Sequence, residues 1–132
     1  MPIQKVLLVD DEDDIRTIGQ LSLARVGGWQ CALAPSGHAA LELAQSFHPD
    51  LVLLDVMMPG MDGPSTLAAL RQLPATREVP IIFMTAKVQK HEVARYLELG
   101  ALGVISKPFD PMRLPVEIRR LVDAAAAAPG GA

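Results

Sequence analysis

The sequence predicts an α/β fold in which a parallel sheet of five short strands is covered by helices on both faces. Two observations carry this. Apolar runs recur at regular spacing, Val6 to Val9, Cys31 to Ala34, Leu51 to Leu54, Ile81 to Met84 and the pair Val104 and Ile105. Each is too short for a helix and lacks the alternation of a half-buried strand, so each reads as a strand covered on both sides. Between the runs the period changes: Ile15, Ile18, Gly19, Ser22, Leu23 and Val26 share one face of a helix, as do Leu114, Ile118, Leu121 and Val122. Alternating strands and helices with short turns require right-handed crossovers, which place helices on both faces of a parallel sheet.

The elements follow in order. The first strand runs into the acids Asp10 to Asp14, and the first helix stops at Gly27 and Gly28, with Trp29 packing at the turn into the second strand. Ser36 is placed to cap the second helix. The third strand ends at Asp55 and is followed by the loop Val56-Met57-Met58-Pro59-Gly60, after which Gly63 and Pro64 open the third helix. Thr85 closes the fourth strand. The fourth helix carries Tyr96, expected as a partly exposed contact residue, and ends at Gly100. Pro115 falls about one turn into the last helix, where a missing amide donor and a bulky ring bend or delay it. Beyond Asp123 the composition turns to Ala, Pro and Gly, so residues 1–123 are expected as one domain and 124–132 as a flexible tail.

Composition narrows the function. A chain of 132 residues, 50% apolar and 20% charged, suits one packed domain. No apolar run reaches the ~20 residues that span a bilayer, and the first residues lack a signal-type core, which predicts a cytoplasmic protein without a membrane partner. The lone Cys31 reads as a buried strand thiol rather than a redox centre. His38, His48 and His91 have no ligand spacing. The net charge of −3 is local, because five consecutive acids leave the rest of the chain slightly positive. Without a Lys/Arg cluster there is no footprint for direct nucleic-acid binding.

The informative residues stand at strand ends. Asp10 and Asp11 follow the first strand and Asp55 the third, which brings them together at the carboxyl edge of the sheet, where such folds bind ligands. Gathered carboxylates raise each other's pKa unless a cation is shared among them. Oxygen-only donors point to Mg²⁺, commonly held by one or two carboxylates together with phosphate. Capping of the first helix is the simpler reading and suffices for Asp13 and Asp14. It does not suffice for Asp55, which precedes a loop. Thr85 and Lys107 end the fourth and fifth strands, so a phosphoryl group on Asp55 would find a hydroxyl donor and a cation beside it.

These residues resemble the response-regulator receivers of bacterial two-component systems. The likeness covers roughly residues 5 to 123 and rests on four ordered blocks: Leu8-Val9-Asp10-Asp11-Glu12, Asp55-Val56-Met57-Met58-Pro59-Gly60-Met61-Asp62-Gly63, Met84-Thr85-Ala86 and Lys107-Pro108-Phe109. The resemblance implies a flavodoxin-like (βα)5 doubly wound fold with sheet order 2-1-3-4-5. It implies Asp55 as phosphoacceptor, with Asp10, Asp11, Asp55 and the main-chain carbonyl of Met57 as ligands of Mg²⁺. Thr85 and Lys107 are the implied phosphoryl-contacting pair, and the Lys107-Pro108 bond is implied to be cis.

Departures matter. Val104 stands where the family often has a Tyr or Phe that turns inward, so the response is expected in the loop Ala86 to Gln89. Met57 and Lys87 occupy positions that tune hydrolysis in the family and offer little to orient a water, which implies slow loss of phosphate. The expected protein is a phosphorelay switch rather than an enzyme, a monomer or weak dimer. It takes its phosphoryl group from a sensor histidine kinase or phosphotransfer protein and presents an α4-β5-α5 face to a downstream protein. The alternative is the same receiver cut from a larger regulator with a C-terminal output domain. A nucleotide- or flavin-binding module would want phosphate-cradling glycines after the first strand, where this chain has acids. A metal-dependent phosphatase with an aspartyl intermediate would turn over small phosphate esters.

Overall fold

A computed structural model describes residues 2–86 and 88–127. The strands are β1 (Lys5–Val9), β2 (Gln30–Ala34), β3 (Leu51–Asp55), β4 (Ile81–Thr85) and β5 (Gly103–Ser106). The helices are α1 (Asp13–Leu21), α2 (Gly37–Phe47), α3 (Gly63–Leu70), α4 (Lys90–Glu98) and α5 (Leu114–Ala127). All five strands are parallel, in the order β2-β1-β3-β4-β5. The order inferred from the resemblance is the one observed.

The apolar runs are explained by two cores, one on each face. Leu7 and Val9 of β1, Val52 and Leu54 of β3 and Phe83 of β4 pack with Ala40 and Ala44 of α2, Leu67 and Leu70 of α3 and Tyr96 of α4. The alternate residues Val6, Leu8, Leu51, Leu53, Ile82 and Met84 pack with Leu23, Trp29 and the α5 residues Leu114 and Ile118. With both side-chain directions buried, a strand has no place for alternating polar residues.

Side chains cap the starts of α2 and α3, the first as the sequence suggests and the second at a residue not singled out there. The Ser36 side chain accepts from the Ala39 amide at 3.1 Å, and the Asp62 side chain accepts from the Ser65 amide at 2.8 Å. Gly28 takes φ +73° after the first helix and Gly100 φ +107° after α4, conformations that a side chain disfavours. Between Leu21 and Gly27 the helix widens into a π turn, Ser22–Val26, which the periodicity did not announce. There the Ser22 hydroxyl donates to the Pro111 carbonyl and ties this turn to the start of α5.

Three expectations change. Tyr96 is 4% exposed, a core residue rather than a surface contact. Pro115 lies in the first turn of α5, not one turn in, because the helix begins at Leu114. In that turn the missing amide has no intrahelical partner to lose. Finally, α5 extends to Ala127, four residues past the boundary drawn at Asp123. The rest of the expected tail, residues 128–132, lies outside the described residues, as does Lys87.

Candidate functional site

The register of the sheet decides what meets at its carboxyl edge. Val9 pairs with Leu54, which sets Asp10 level with Asp55 across the point where the strand order reverses. Asp55 in turn pairs with Met84, and Thr85 with Ser106, so Thr85 and Lys107 close the next two positions. Backbone bonds fix the chain as it leaves the strands: the Asp10 amide donates to Ala34 O at 3.1 Å, Val56 to Met84 O at 3.0 Å and Lys107 to Thr85 O at 3.0 Å. The Lys107-Pro108 bond is cis.

One carboxylate oxygen each from Asp10, Asp11 and Asp55 lies within 4.8 Å of the others. Asp10 and Asp55 are buried and Asp11 is exposed, so the cluster has an open side. Asp10 uses one oxygen to accept from the Glu12 amide at 2.9 Å and the other to accept from Lys107 Nζ at 2.9 Å. The same ammonium stands 3.5 Å from Asp55 Oδ1 and 3.6 Å from Glu12 Oε1. Asp55 Oδ1 also accepts a long bond, 3.4 Å, from the Met57 amide. Thr85 is buried. A pocket of about 400 Å³ opens over the group, lined by Glu12, Ile15, Asp55, Met57, Thr85, Ala86, Lys107 and Pro108.

The electrostatics follow from this crowding. Burial, and after it the charge of Asp10, push the Asp55 carboxyl up to about 6, although Lys107 and the Met57 amide pull the other way. Burial alone would lower the Lys107 ammonium, but the hydrogen bond and charge of Asp10, with the charges of Asp55 and Glu12, together raise it. Among the described residues Lys107 is shared by Asp10, Asp55 and Glu12, which leaves these acids short of positive charge. An oxygen-only donor set with that deficit fits a hard divalent cation such as Mg²⁺. Burial also pushes the Cys31 thiol up to about 11, away from the site and from reactivity.

Every residue singled out from the sequence, Asp10, Asp11, Asp55, Met57, Thr85 and Lys107, is thus placed at this one edge. Three contributors were not foreseen. Glu12 shares Lys107, though as one acid in a run of five it carried no separate signal. Arg16 donates to the Asp10 carbonyl at 2.8 Å and pairs with Asp13, clipping the start of α1 beside the cluster. Gly63 looked like a helix opener, but a Cβ there would stand 2.6 Å from the Asp55 carbonyl and 2.7 Å from Val56 Cα. The clue was redundancy, since Asp62 and Pro64 already suffice to start α3.

Comparison with known proteins agrees with this geometry. The profile of the response regulator receiver domain matches residues 6–119. The alkaline phosphatase synthesis transcriptional regulatory protein PhoP of Bacillus subtilis is 37% identical over 119 residues, covering 90% of this chain and 48% of that protein. A probable transcriptional regulator, ycf27, of Cyanophora paradoxa is 40% identical with the same coverage. The chain spans about half the length of these relatives. The solved structure of the chemotaxis response regulator CheY4 of Vibrio cholerae superposes with a TM-score of 0.83 at 31% identity, covering 91% of this chain and 99% of that one.

Proposed function

The chain belongs to the response regulator receiver domain family, and from that premise we propose that Asp55 accepts a phosphoryl group from a phosphohistidine on a partner kinase or phosphotransfer protein. Receivers of this family are regulatory phosphoacceptor domains. The observation that supports Asp55 here is its place: a buried carboxylate closing β3, with a lysine 3.5 Å away and two further acids beside it.

In the proposed step an Asp55 oxygen attacks phosphorus in line, the O–P bond forms as the N–P bond breaks, and the imidazole leaves. Asp10, Asp11, Asp55 and the Met57 carbonyl hold Mg²⁺, which supplies positive charge to the phosphoryl oxygens when bound. Lys107 Nζ, already 2.9 Å from Asp10, stays within reach of the charge that gathers at Asp55. Thr85 offers a hydroxyl to a phosphoryl oxygen from the neighbouring strand. The pocket of about 400 Å³ beside Asp55 leaves room for an imidazole.

The switch acts through protein binding. The exposed Val88, just before α4, lines a cleft with Val104 and Ile105 of β5 and Glu117 and Arg120 of α5, a surface suited to a partner that distinguishes the two states. A second reading, favoured by the half-length match to regulators, joins the same receiver to an output domain. An endogenous protein longer than this chain on an immunoblot would support that arrangement.

Incubation with acetyl phosphate and Mg²⁺ followed by intact mass tests the acceptor. Wild type should gain one phosphoryl group and Asp55→Asn none. A gain that persists in Asp55→Asn would assign the phosphate elsewhere.

A further inference from the structure

Tyr96 is the buried side chain of α4, with Val93 half-buried beside it. Its ring meets Phe83 of β4 edge-on, with centroids 5.2 Å apart and planes at 66°. Phe83 is the register partner of Val104 on β5, so Tyr96 stacks on the strand next to the one where an aromatic is lacking. On its other side Tyr96 helps form the wall of a cleft of about 630 Å³. Val56, Met57, Met58 and Pro59 line the same cleft, and they are the residues through which the chain leaves Asp55. The ring thus rests on the sheet and faces the acceptor loop across this cleft.

The two ends of α4 are held unequally. Just past the C-terminal end the Leu102 amide donates to Ile81 O at 2.8 Å, and the Arg71 guanidinium reaches Gly100 O at 3.4 Å. Ala101 between them is buried, and Gly100 takes φ +107°. At the other end Val88 and Gln89 are exposed, and Gln89 makes no side-chain cap. A helix fixed at its C-terminus, with open space beside its middle and a weakly held start near the phosphoryl site, can turn about the glycine.

We propose that Tyr96 is the positioning residue through which modification of Asp55 moves α4, replacing the swinging ring that Val104 cannot provide. The proposal rests on Asp55 being the acceptor. A phosphoryl group at the root of the loop shifts Val56 to Pro59 and so changes the width of the cleft. The Tyr96 ring, which rests on Phe83 and faces that loop across the cleft, follows and carries the start of α4 with it. Interiors pack in discrete arrangements rather than deforming smoothly, so a small loop shift produces a new seat for the ring.

The chain has one tyrosine, so incorporation of 3-fluorotyrosine gives a single fluorine resonance that reports Tyr96 alone. With Mg²⁺ and acetyl phosphate or beryllofluoride that line should shift in wild type and stay in place in Asp55→Asn. In parallel, Tyr96→Leu should still gain the phosphoryl group by mass. It should lose the phosphorylation-dependent change in amide exchange across Val88 to Leu99. An unmoved line in protein whose mass shows the phosphoryl group overturns the proposal and leaves Asp55 as acceptor. So does a Tyr96→Leu protein that keeps the exchange response. Absence of any mass gain in wild type removes both readings. The fluorine measurement needs no substitution at Tyr96 and decides the matter even if the leucine variant does not fold.

Discussion

Replacing Asp55 with Asn should stabilise the metal-free protein at neutral pH. The Asp55 pKa rises from 3.8 to about 6, through burial first and the charge of Asp10 second. A carboxyl that binds its proton more tightly when folded makes ionisation unfavourable to folding. Its stabilising protonation is fully present below about pH 4 and is lost as pH climbs through about 6. About two units at roughly 1.4 kcal/mol each set the penalty at up to about 3 kcal/mol above pH 7. Asn carries no charge at any pH and avoids it. In a domain of this length that gain corresponds to roughly 8–12 °C in Tm. The assay is urea unfolding in chelator at a series of pH values. The advantage of Asp55→Asn should grow from under about 1 kcal/mol near pH 4.5 to its full size above pH 7. Mg²⁺ should raise the stability of wild type more than that of the variant, since a ligand stabilises the state that binds it. A variant no more stable than wild type at pH 7.5, or an advantage independent of pH, would refute the electrostatic account.

Other substitutions probe the same edge. Lys107→Met removes the cation shared by Asp10, Asp55 and Glu12, and urea unfolding in chelator should show a loss of about 3 kcal/mol, as for other broken buried pairs. Gly63→Ala drives a methyl group into the Asp55 carbonyl and Val56. It should destabilise by about 1–3 kcal/mol and also slow acetyl-phosphate labelling, because the strain falls on the acceptor strand end. Met57 is 67% exposed at the pocket mouth with an apolar side chain, so Met57→Asn should shorten the phosphate lifetime by offering a water a hydrogen-bond partner. Equal decay by mass spectrometry would remove Met57 from that role.

What the sequence disclosed, and what it withheld, divides along the range of the forces involved. Runs such as Leu51 to Leu54 reveal strands because burial on both faces removes polar residues from consecutive positions. Ser36 reveals a helix start because a cap needs only its own next turn, while the equivalent cap at Asp62 went unread beside Gly63 and Pro64. The carboxylates could be gathered because strand ends in this topology share an edge. The order of the strands came from family likeness rather than from periodicity, since alternation alone fits several orders. Tyr96 was misjudged because its burial depends on Phe83, a partner set by the docking of α4 on β4 and not by its own helix. The π turn at Ser22 was invisible for a similar reason: it aligns a hydroxyl with Pro111, far along the chain.

The site and the fold oppose one another at this edge. Among the described residues, Asp10, Glu12 and Asp55 gather about the Lys107 ammonium, with Asp11 beside them. A second lysine in place of Asp11 would relieve the deficit and stabilise the chain, but it would also fill the space that suits a divalent cation. The unfavourable charge persists because the strands beneath are held independently: Val9, Leu54 and Met84, each immediately before a site residue, are fully buried in the two cores. Rigid strand ends keep the acids together despite their repulsion. Met57 in the loop after Asp55 and Val88 before α4 are exposed and lack that support, so any change in the charge of the cluster is felt there first.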